Sequence, residues 1–384
     1  MILNKINSAI KIYRTASNKK IELPRVIQFP INDICNSRCQ MCNIWKNKKS
    51  EDEISVEQVY KVFSSSLFRK VESIGINGGE PTLRKDIADI IDALFQTIPT
   101  LKNISLITNG FNNEDILKKI KAIRSVIDKH NGRLDLMFSI DGYESTHDRV
   151  RGKDGNFSRI TTLLENVQKL GLADNLRVGC TIIKENVLDL QDLYNFCLKK
   201  QIYIKYRLGI PHQRLYTLNK KEPYSLSLFE KYELSNFLNG LIAHYEKDKY
   251  QIFFYESLVD QILYNKPRKS GCDWQHRGAT ISSKGELLYC AVESKTLTSL
   301  GEFENYEDVY FREEAHLKEI RKNKCDDCSH DYVGIPDLNE LKKIHLNSIK
   351  RKLRKYSILE NIIDSLTERR YSRVAQERLN MIVK

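Results

Sequence analysis

Between residues 26 and 215 the chain alternates short apolar runs with longer stretches of helical periodicity, and few architectures accept that pattern. The runs are VIQFPI (26–31), SIGIN (73–77), ISLIT (104–108), LDLMFSI (134–140), LRVGCTII (176–183) and IYIKYRL (202–208). Between them lie amphipathic stretches such as DIADIIDALFQTI and RITTLLENVQKL. Alternating strands and helices predict an α/β fold with a parallel sheet and helices packed outside it. The runs are nearly continuous in apolar residues, which predicts strands buried on both faces. Six such units close only part of a (β/α) barrel, or form an open doubly wound sheet. In either case the functional loops follow the strand C-termini.

The flanking segments have other characters. Residues 1–25 read as a basic amphipathic segment, and 216–270 as a helical connector. Residues 271–336 form a cysteine-bearing module in which SKGE, between ATIS and LLYC, predicts a β-hairpin. Residues 337–384 read as a basic helical tail. No run of about 18 apolar residues exists to span a membrane. The N-terminus carries scattered lysines and no small-residue cleavage site, so it is not a secretory signal. A cytoplasmic protein is expected.

In that compartment thiols stay reduced, so the nine cysteines are not expected to form disulfides. Seven are clustered: Cys35, Cys39 and Cys42, then Cys272, Cys290, Cys325 and Cys328. Clustered thiols in a reducing environment point to metal or iron–sulfur ligands. Cys180, in a strand, and Cys197, in a helix, stand apart and suit buried apolar positions.

The net charge of +12 suggests a polyanion partner until it is located. Residues 1–25 hold six Lys/Arg against one Glu, and 340–384 hold twelve against five acids. The stretch between is formally neutral. The basic character belongs to the ends, which excludes a basic catalytic core and gives no sign of specific nucleic-acid binding.

The Cys35-x3-Cys39-x2-Cys42 loop follows the first strand. Three thiolates hold three irons of a [4Fe–4S] cluster and leave the fourth open, whereas a fully ligated cluster takes four cysteines. A zinc knuckle is the alternative, though zinc sites favour C-x2-C pairs with further Cys or His. After the second strand comes Asn77-Gly78-Gly79-Glu80-Pro81, whose glycines allow close backbone approach and whose Glu80 can accept from an ammonium group. The third strand ends at Thr108-Asn109-Gly110 and the fourth at Ser139-Ile140-Asp141-Gly142. Strand alternation puts Ser139 and Asp141 on one side, where both can hydrogen-bond a ligand's hydroxyl groups. Arg151, in HDRVRG, can pair with a carboxylate.

Over residues 26–215 these features together resemble the radical S-adenosylmethionine (SAM) superfamily. The resemblance implies a partial (β/α)6 TIM-like barrel. It also implies a [4Fe–4S] cluster on Cys35, Cys39 and Cys42 that binds SAM. Gly78, Gly79, Glu80, Pro81, Asn109, Ser139, Asp141 and Arg151 would be its SAM contacts. In the second module, Cys272-x12-Gly285-x4-Cys290 with Cys325-x2-Cys328 supplies four ligands, which suit one [4Fe–4S] cluster or a structural zinc equally by spacing. The pattern is similar to the SPASM and twitch auxiliary domains of that superfamily. The absence of further cysteines resembles the shorter twitch form with one auxiliary cluster.

The resemblance further implies reductive cleavage of SAM, with a flavodoxin- or ferredoxin-type electron donor, and hydrogen abstraction from a substrate. A fully ligated auxiliary cluster suits acceptance of a second electron. The leading expectation is therefore dehydrogenation of a sugar, an aminocyclitol or a nucleotide- or lipid-linked carbohydrate. Maturation of a peptide or protein side chain, or redox-neutral epimerisation, is the alternative; a non-catalytic metal-binding protein would leave the strand-end motifs unexplained. Strand six carries Tyr206 and Arg207 toward His212 and Arg214, so Arg207 and Tyr206 are candidate catalytic residues. Cys180 is a candidate hydrogen donor. The segment 342–355, with Ile2, Leu3, Ile6 and Ile10, is a candidate for contact with an anionic membrane surface or another polyanion.

Overall fold

The computed structural model describes residues 12–14, 16, 17, 20–47, 53–300 and 305–354, with side chains to residue 350. Six parallel strands follow one another: β1 (Val26–Pro30), β2 (Ser73–Asn77), β3 (Asn103–Thr108), β4 (Arg133–Ser139), β5 (Asn175–Ile182) and β6 (Tyr203–Leu208). Helices α1 (Val56–Phe63), α2 (Ile87–Thr97), α3 (Asn113–Lys129), α4 (Ser145–Arg151), α5 (Asn156–Lys169) and α6 (Leu190–Lys199) connect them. Local chemistry sets these elements. α1 opens on a capping box between Ser55 and Gln58, and α3 buries Ile116, Ile120, Ile123 and Ile127 as one stripe. The partial (β/α)6 barrel is the architecture expected.

The strands themselves correct one expectation. They are not apolar on both faces. Ile74 and Ile76, Ile104 and Leu106, Leu136 and Phe138, and Val178 and Ile182 pack outward in the core. Ser73, Gly75, Asn77, Ser105, Ser139, Thr181, Lys205 and Arg207 instead line a central cavity. The pleat sends alternate residues to opposite faces, so the polar letters scattered through these runs form the lining of a ligand space.

After α7 (Leu228–Gly240) and α8 (Lys249–Tyr264) the chain rejoins the sheet. β7 (Gly278–Ile281) pairs in parallel with β1, Gln28 opposite Thr280, and a hairpin leads into β8 (Leu287–Leu288). This is the expected hairpin. Its Gly285 has φ +79°, a left-handed turn conformation that glycine adopts without steric cost. The addition of β7 to the barrel sheet was not foreseen. The order is β6-β5-β4-β3-β2-β1-β7-β8, and Ala279, Ile281, Leu287 and Tyr310 share the apolar core of the barrel strands.

Helices α9 (Tyr306–Arg312), α10 (Glu314–Asn323) and α11 (Leu338–Arg354) complete the described chain. α11 spends part of its apolar face on packing: Leu341 and Ile344 are buried, and His345 hydrogen-bonds Tyr13 and Lys249 at 3.0 Å each. Ile2, Leu3, Ile6, Ile10 and residues 355–384 lie outside the described residues. No described helix is long and apolar enough to cross a membrane.

Candidate active site

The loop leaving β1 brings Cys35, Cys39 and Cys42 to the wall of one cavity of about 430 Å³, a size suited to a small ligand. Two neighbours fix this loop. The end of α4 takes one side, where Arg38 N–H donates to Arg151 O (3.0 Å) and Gln40 N–H to Val150 O (2.9 Å). The GGEP turn takes the other, with Gly79 N–H on Asn32 O (2.9 Å) and Glu80 N–H on Ile34 O (2.8 Å). A β-carbon on Gly79 would lie 2.0 Å from Ile34 O. Only glycine allows this approach.

Donors are aimed at the sulfurs. Asn109 Nδ2 lies 3.8 Å from Cys35 Sγ, Ser37 N–H 3.5 Å from the same atom, and Arg151 Nη1 3.6 Å from Cys39 Sγ. Burial pushes the thiol of Cys35 up to about 12 and that of Cys39 up to about 11, and raises Cys42 as well. Metal-free, these thiols hold their protons, and ligation must release them. No group of three or more described His, Cys, Asp or Glu side chains converges on a single metal-ion position; the three thiols instead border a cavity. Three cysteines with N–H donors on their sulfurs fit a cluster held by three ligands.

Gly78, Gly79, Glu80, Pro81, Asn109, Ser139 and Arg151 all line this cavity, as the sequence suggested. Two of their anticipated roles change. Four donors already converge on Glu80: the Thr82 N–H, the hydroxyls of Thr82 and Thr108, and the Asn109 N–H, at 2.6–3.2 Å. Its carboxylate clamps the GGEP turn to the end of β3. Asp141 is fully buried and does not line the cavity. Its Oδ2 lies 2.5 Å from Arg151 Nε and its Oδ1 accepts the Thr181 N–H at 2.7 Å. Asp141 and Arg151 therefore neutralise each other, where a ribose and a ligand carboxylate were anticipated as their partners.

Strand phase separates the candidate catalytic residues. Thr181 stands opposite Arg207 and Cys180 opposite Tyr206. The first pair faces the cavity, where Arg207 Nε donates to Thr181 Oγ1 at 2.9 Å. The second pair turns into the core. Tyr206 donates its hydroxyl to Leu190 O (3.2 Å) and meets Phe237 edge-on; Cys180 is fully buried. This corrects the placement of Tyr206 and Cys180 at the site. Cys197 is buried too. Arg214 reaches Gly78 O at 3.3 Å.

The segment after Cys328 brings to the cavity residues that the sequence did not mark. His330, Asp331 and Tyr332 enter the mouth of the barrel. Asp331 Oδ2 lies 3.2 Å from Lys205 Nζ. Burial would raise the Asp331 carboxyl, but Lys205, His330 and Arg207 outweigh it and hold the group well below the usual carboxylate range. Arg268 organises the segment, donating to the carbonyls of Ser270 (2.9 Å), Cys328 (3.1 Å), His330 (2.7 Å) and Tyr332. Cys272, Cys290, Cys325 and Cys328 surround a hollow of their own. Trp274 stacks on Tyr332 with ring centres 3.9 Å apart. Together with His330, these two rings line both the hollow and the central cavity. The partition between the two cysteine sites is one layer of side chains.

Comparison with known proteins agrees with this geometry. The family described as the Radical SAM superfamily matches residues 29–197. Those residues are a radical SAM domain. The superfamily uses a [4Fe–4S] cluster and SAM, and the loop of Cys35, Cys39 and Cys42 lies within the matched residues. The sporulation killing factor maturation protein SkfB of Bacillus subtilis (strain 168) is 25% identical over 190 residues, 49% of this chain and 42% of its own length. A GTP 3′,8-cyclase of Pasteurella multocida (strain Pm70) is 31% identical over 172 residues, 44% of this chain and 45% of its own. The chain spans about half the length of the curated relatives it matches. Among solved structures, anSMEcpe with bound AdoMet superposes with a TM-score of 0.57 at 17% identity, covering 86% of this chain and 98% of that one. SuiB of Streptococcus suis, bound to its precursor peptide SuiA, gives 0.55 at 16% identity, covering 80% and 69%. These likenesses show a common fold.

Proposed function

We propose that the chain is a radical SAM enzyme that oxidises, by two electrons, a carbohydrate or aminocyclitol bearing an anionic group, nucleotide- and lipid-linked sugars included. The observation that carries the proposal is the shared wall of Trp274, His330 and Tyr332, which sets the four-cysteine hollow directly behind the cavity of Cys35, Cys39 and Cys42. When bound, the first cluster and its SAM supply a 5′-deoxyadenosyl radical that takes a hydrogen atom, and a cluster on Cys272, Cys290, Cys325 and Cys328 supplies an acceptor for the second electron. The four thiols border a hollow without converging on one ion position, which favours a cluster over zinc.

The protein's own residues position and exclude. Arg207 uses Nε on Thr181 and forms no ion pair among the described residues, so its terminal nitrogens are left for a phosphate or carboxylate. Glu80 and Asp331 are the described carboxylates that line the cavity, and Glu80 is occupied by its four donors. Asp331 is thus the carboxylate left to accept a hydrogen bond from the substrate, and Lys205 holds it in place. The aromatic wall keeps substrate out of the hollow. A second possibility, oxidation of a peptide side chain, draws on the names of SkfB and of SuiB with its precursor peptide.

The test is mass spectrometry of candidate substrates after anaerobic turnover with reductant and SAM. A nucleotide-linked sugar product lighter by two hydrogens, with substrate deuterium recovered in 5′-deoxyadenosine, supports the proposal. An isomer of unchanged mass refutes oxidation. A peptide that loses two hydrogens while the sugars stay intact selects the second possibility.

A further inference from the structure

Cys325 borders two spaces. On one side is the four-cysteine hollow, and on the other a polar cleft of about 520 Å³. The cleft is cationic. Arg268, Lys269, Lys318, Arg321 and Lys322 line it against two carboxylates, Asp326 and Asp337. α10 puts much of this charge there, because Lys318, Arg321 and Lys322 fall at i, i+3 and i+4 and share one helical face. Leu317 and Ile320 bury the other side of the helix, and the helix ends at Asn323, just before Cys325. The charge is therefore held in a fixed place beside a thiol that belongs to the second cysteine set. Lys318 is exposed and pairs with Glu314 at 3.3 Å, a contact weak enough to be exchanged for a partner's carboxylate.

We propose that this cleft is the docking surface for an acidic protein that carries one electron at a time, and that the electron crosses beside Cys325. The inference rests on the auxiliary cluster of the proposed function. Each two-electron oxidation leaves one electron in the auxiliary module, whose inner side faces a cavity of about 430 Å³, too small to admit a protein carrier. The electron must leave on the outer side, and the cleft is where a ligand thiol meets open space. The step balances without atom transfer: the oxidised carrier gains one electron and the auxiliary cluster loses one. Opposite charge steers the two proteins together. An anionic membrane would feel the same charge, but nothing in its function places it against a cluster ligand.

The test uses the reconstituted full chain mixed with a chemically reduced plant-type [2Fe–2S] ferredoxin, an acidic carrier whose electron can be run inward. Rapid-freeze EPR reads reduction of the auxiliary cluster. Its second-order rate constant should fall at least about tenfold between about 50 and about 300 mM salt. It should fall comparably at low salt in the double variant Lys318→Glu/Lys322→Glu. The control Lys118→Glu/Lys121→Glu, exposed on α3, makes the same change in net charge and should leave the rate unaltered. Equal rates in the two variants, each with full iron content, would overturn the docking proposal alone. Loss of binding to anionic phosphatidylglycerol vesicles with no change in the electron-transfer rate would reassign the cleft to a membrane surface and overturn it as well. A wild-type iron content of only about four per chain would overturn the redox role together with the auxiliary cluster itself.

Discussion

The buried pair of Asp141 and Arg151 holds together three parts of the site, and breaking it should be costly. Arg151 reaches Cys39 Sγ with Nη1 while its Nε meets Asp141 Oδ2 at 2.5 Å, and Asp141 Oδ1 takes the Thr181 N–H. Burial alone would lower the Arg151 pKa, but Asp141 beside it more than compensates and holds the guanidinium protonated. In Asp141→Asn the shape and the Thr181 bond survive, while the guanidinium is left buried without a counter-charge. Removing one partner of a buried ion pair costs about 3–5 kcal/mol. In Arg151→Met the stranded carboxylate can neutralise itself by binding a proton, so that cost should shrink as the pH falls. The double variant should recover about 2–3 kcal/mol relative to the sum of the singles, since contacting pairs couple on that scale. The assay is equilibrium urea unfolding of the reduced, metal-free protein by circular dichroism at pH 7. Single-variant losses under about 1 kcal/mol that simply add in the double would refute the reasoning, because that is how solvent-exposed pairs behave.

Other outcomes follow from particular contacts. Gly79→Ala pushes a β-carbon into Ile34 O, so reconstituted protein should hold about half the wild-type iron while its far-ultraviolet spectrum is unchanged. Glu80→Gln turns an amide N–H₂ toward a donor among the four that Glu80 accepts, and should cost about 1–3 kcal/mol in the same urea assay. His212 is buried and held down to about 3, by burial first and then by Arg214 and His330. An unfolded histidine binds its proton near pH 6.5, so the unfolded state binds more protons across this window. Stability should be lost as the pH falls from about 6.5 toward about 3, by on the order of 4 kcal/mol in total, and His212→Asn should flatten that slope.

The barrel was legible because strand and helix periods alternate locally, and the cofactor cavity because its motifs sit at successive strand ends. What escaped depended on distance or phase. The pairing of Gln28 with Thr280 leaves no local trace in either stretch. Neither does the convergence of Lys205 with Asp331, or of Arg268 with the carbonyls after Cys328. Tyr206 and Arg207 are neighbours in sequence, and only the pleat decides which one meets the ligand. The phase was present in the sequence: Ile204 and Tyr206 form one set, Lys205 and Arg207 the other. A strand assumed to be buried on both faces gave no reason to choose between them. Glu80 and Arg151 were found as cavity residues, but their partners inside the protein could not be read from spacing.

The most direct test of the account is anaerobic reconstitution with iron and sulfide, followed by an iron count and an assay for reductant-driven SAM cleavage. The expected result is about eight irons per chain with 5′-deoxyadenosine formed, falling to about four irons when Cys272 and Cys290 are replaced and cleavage persists. About four irons with zinc retained would make the second module structural and remove the electron acceptor. No SAM cleavage, with Cys35, Cys39 and Cys42 intact and iron bound, would contradict the central claim.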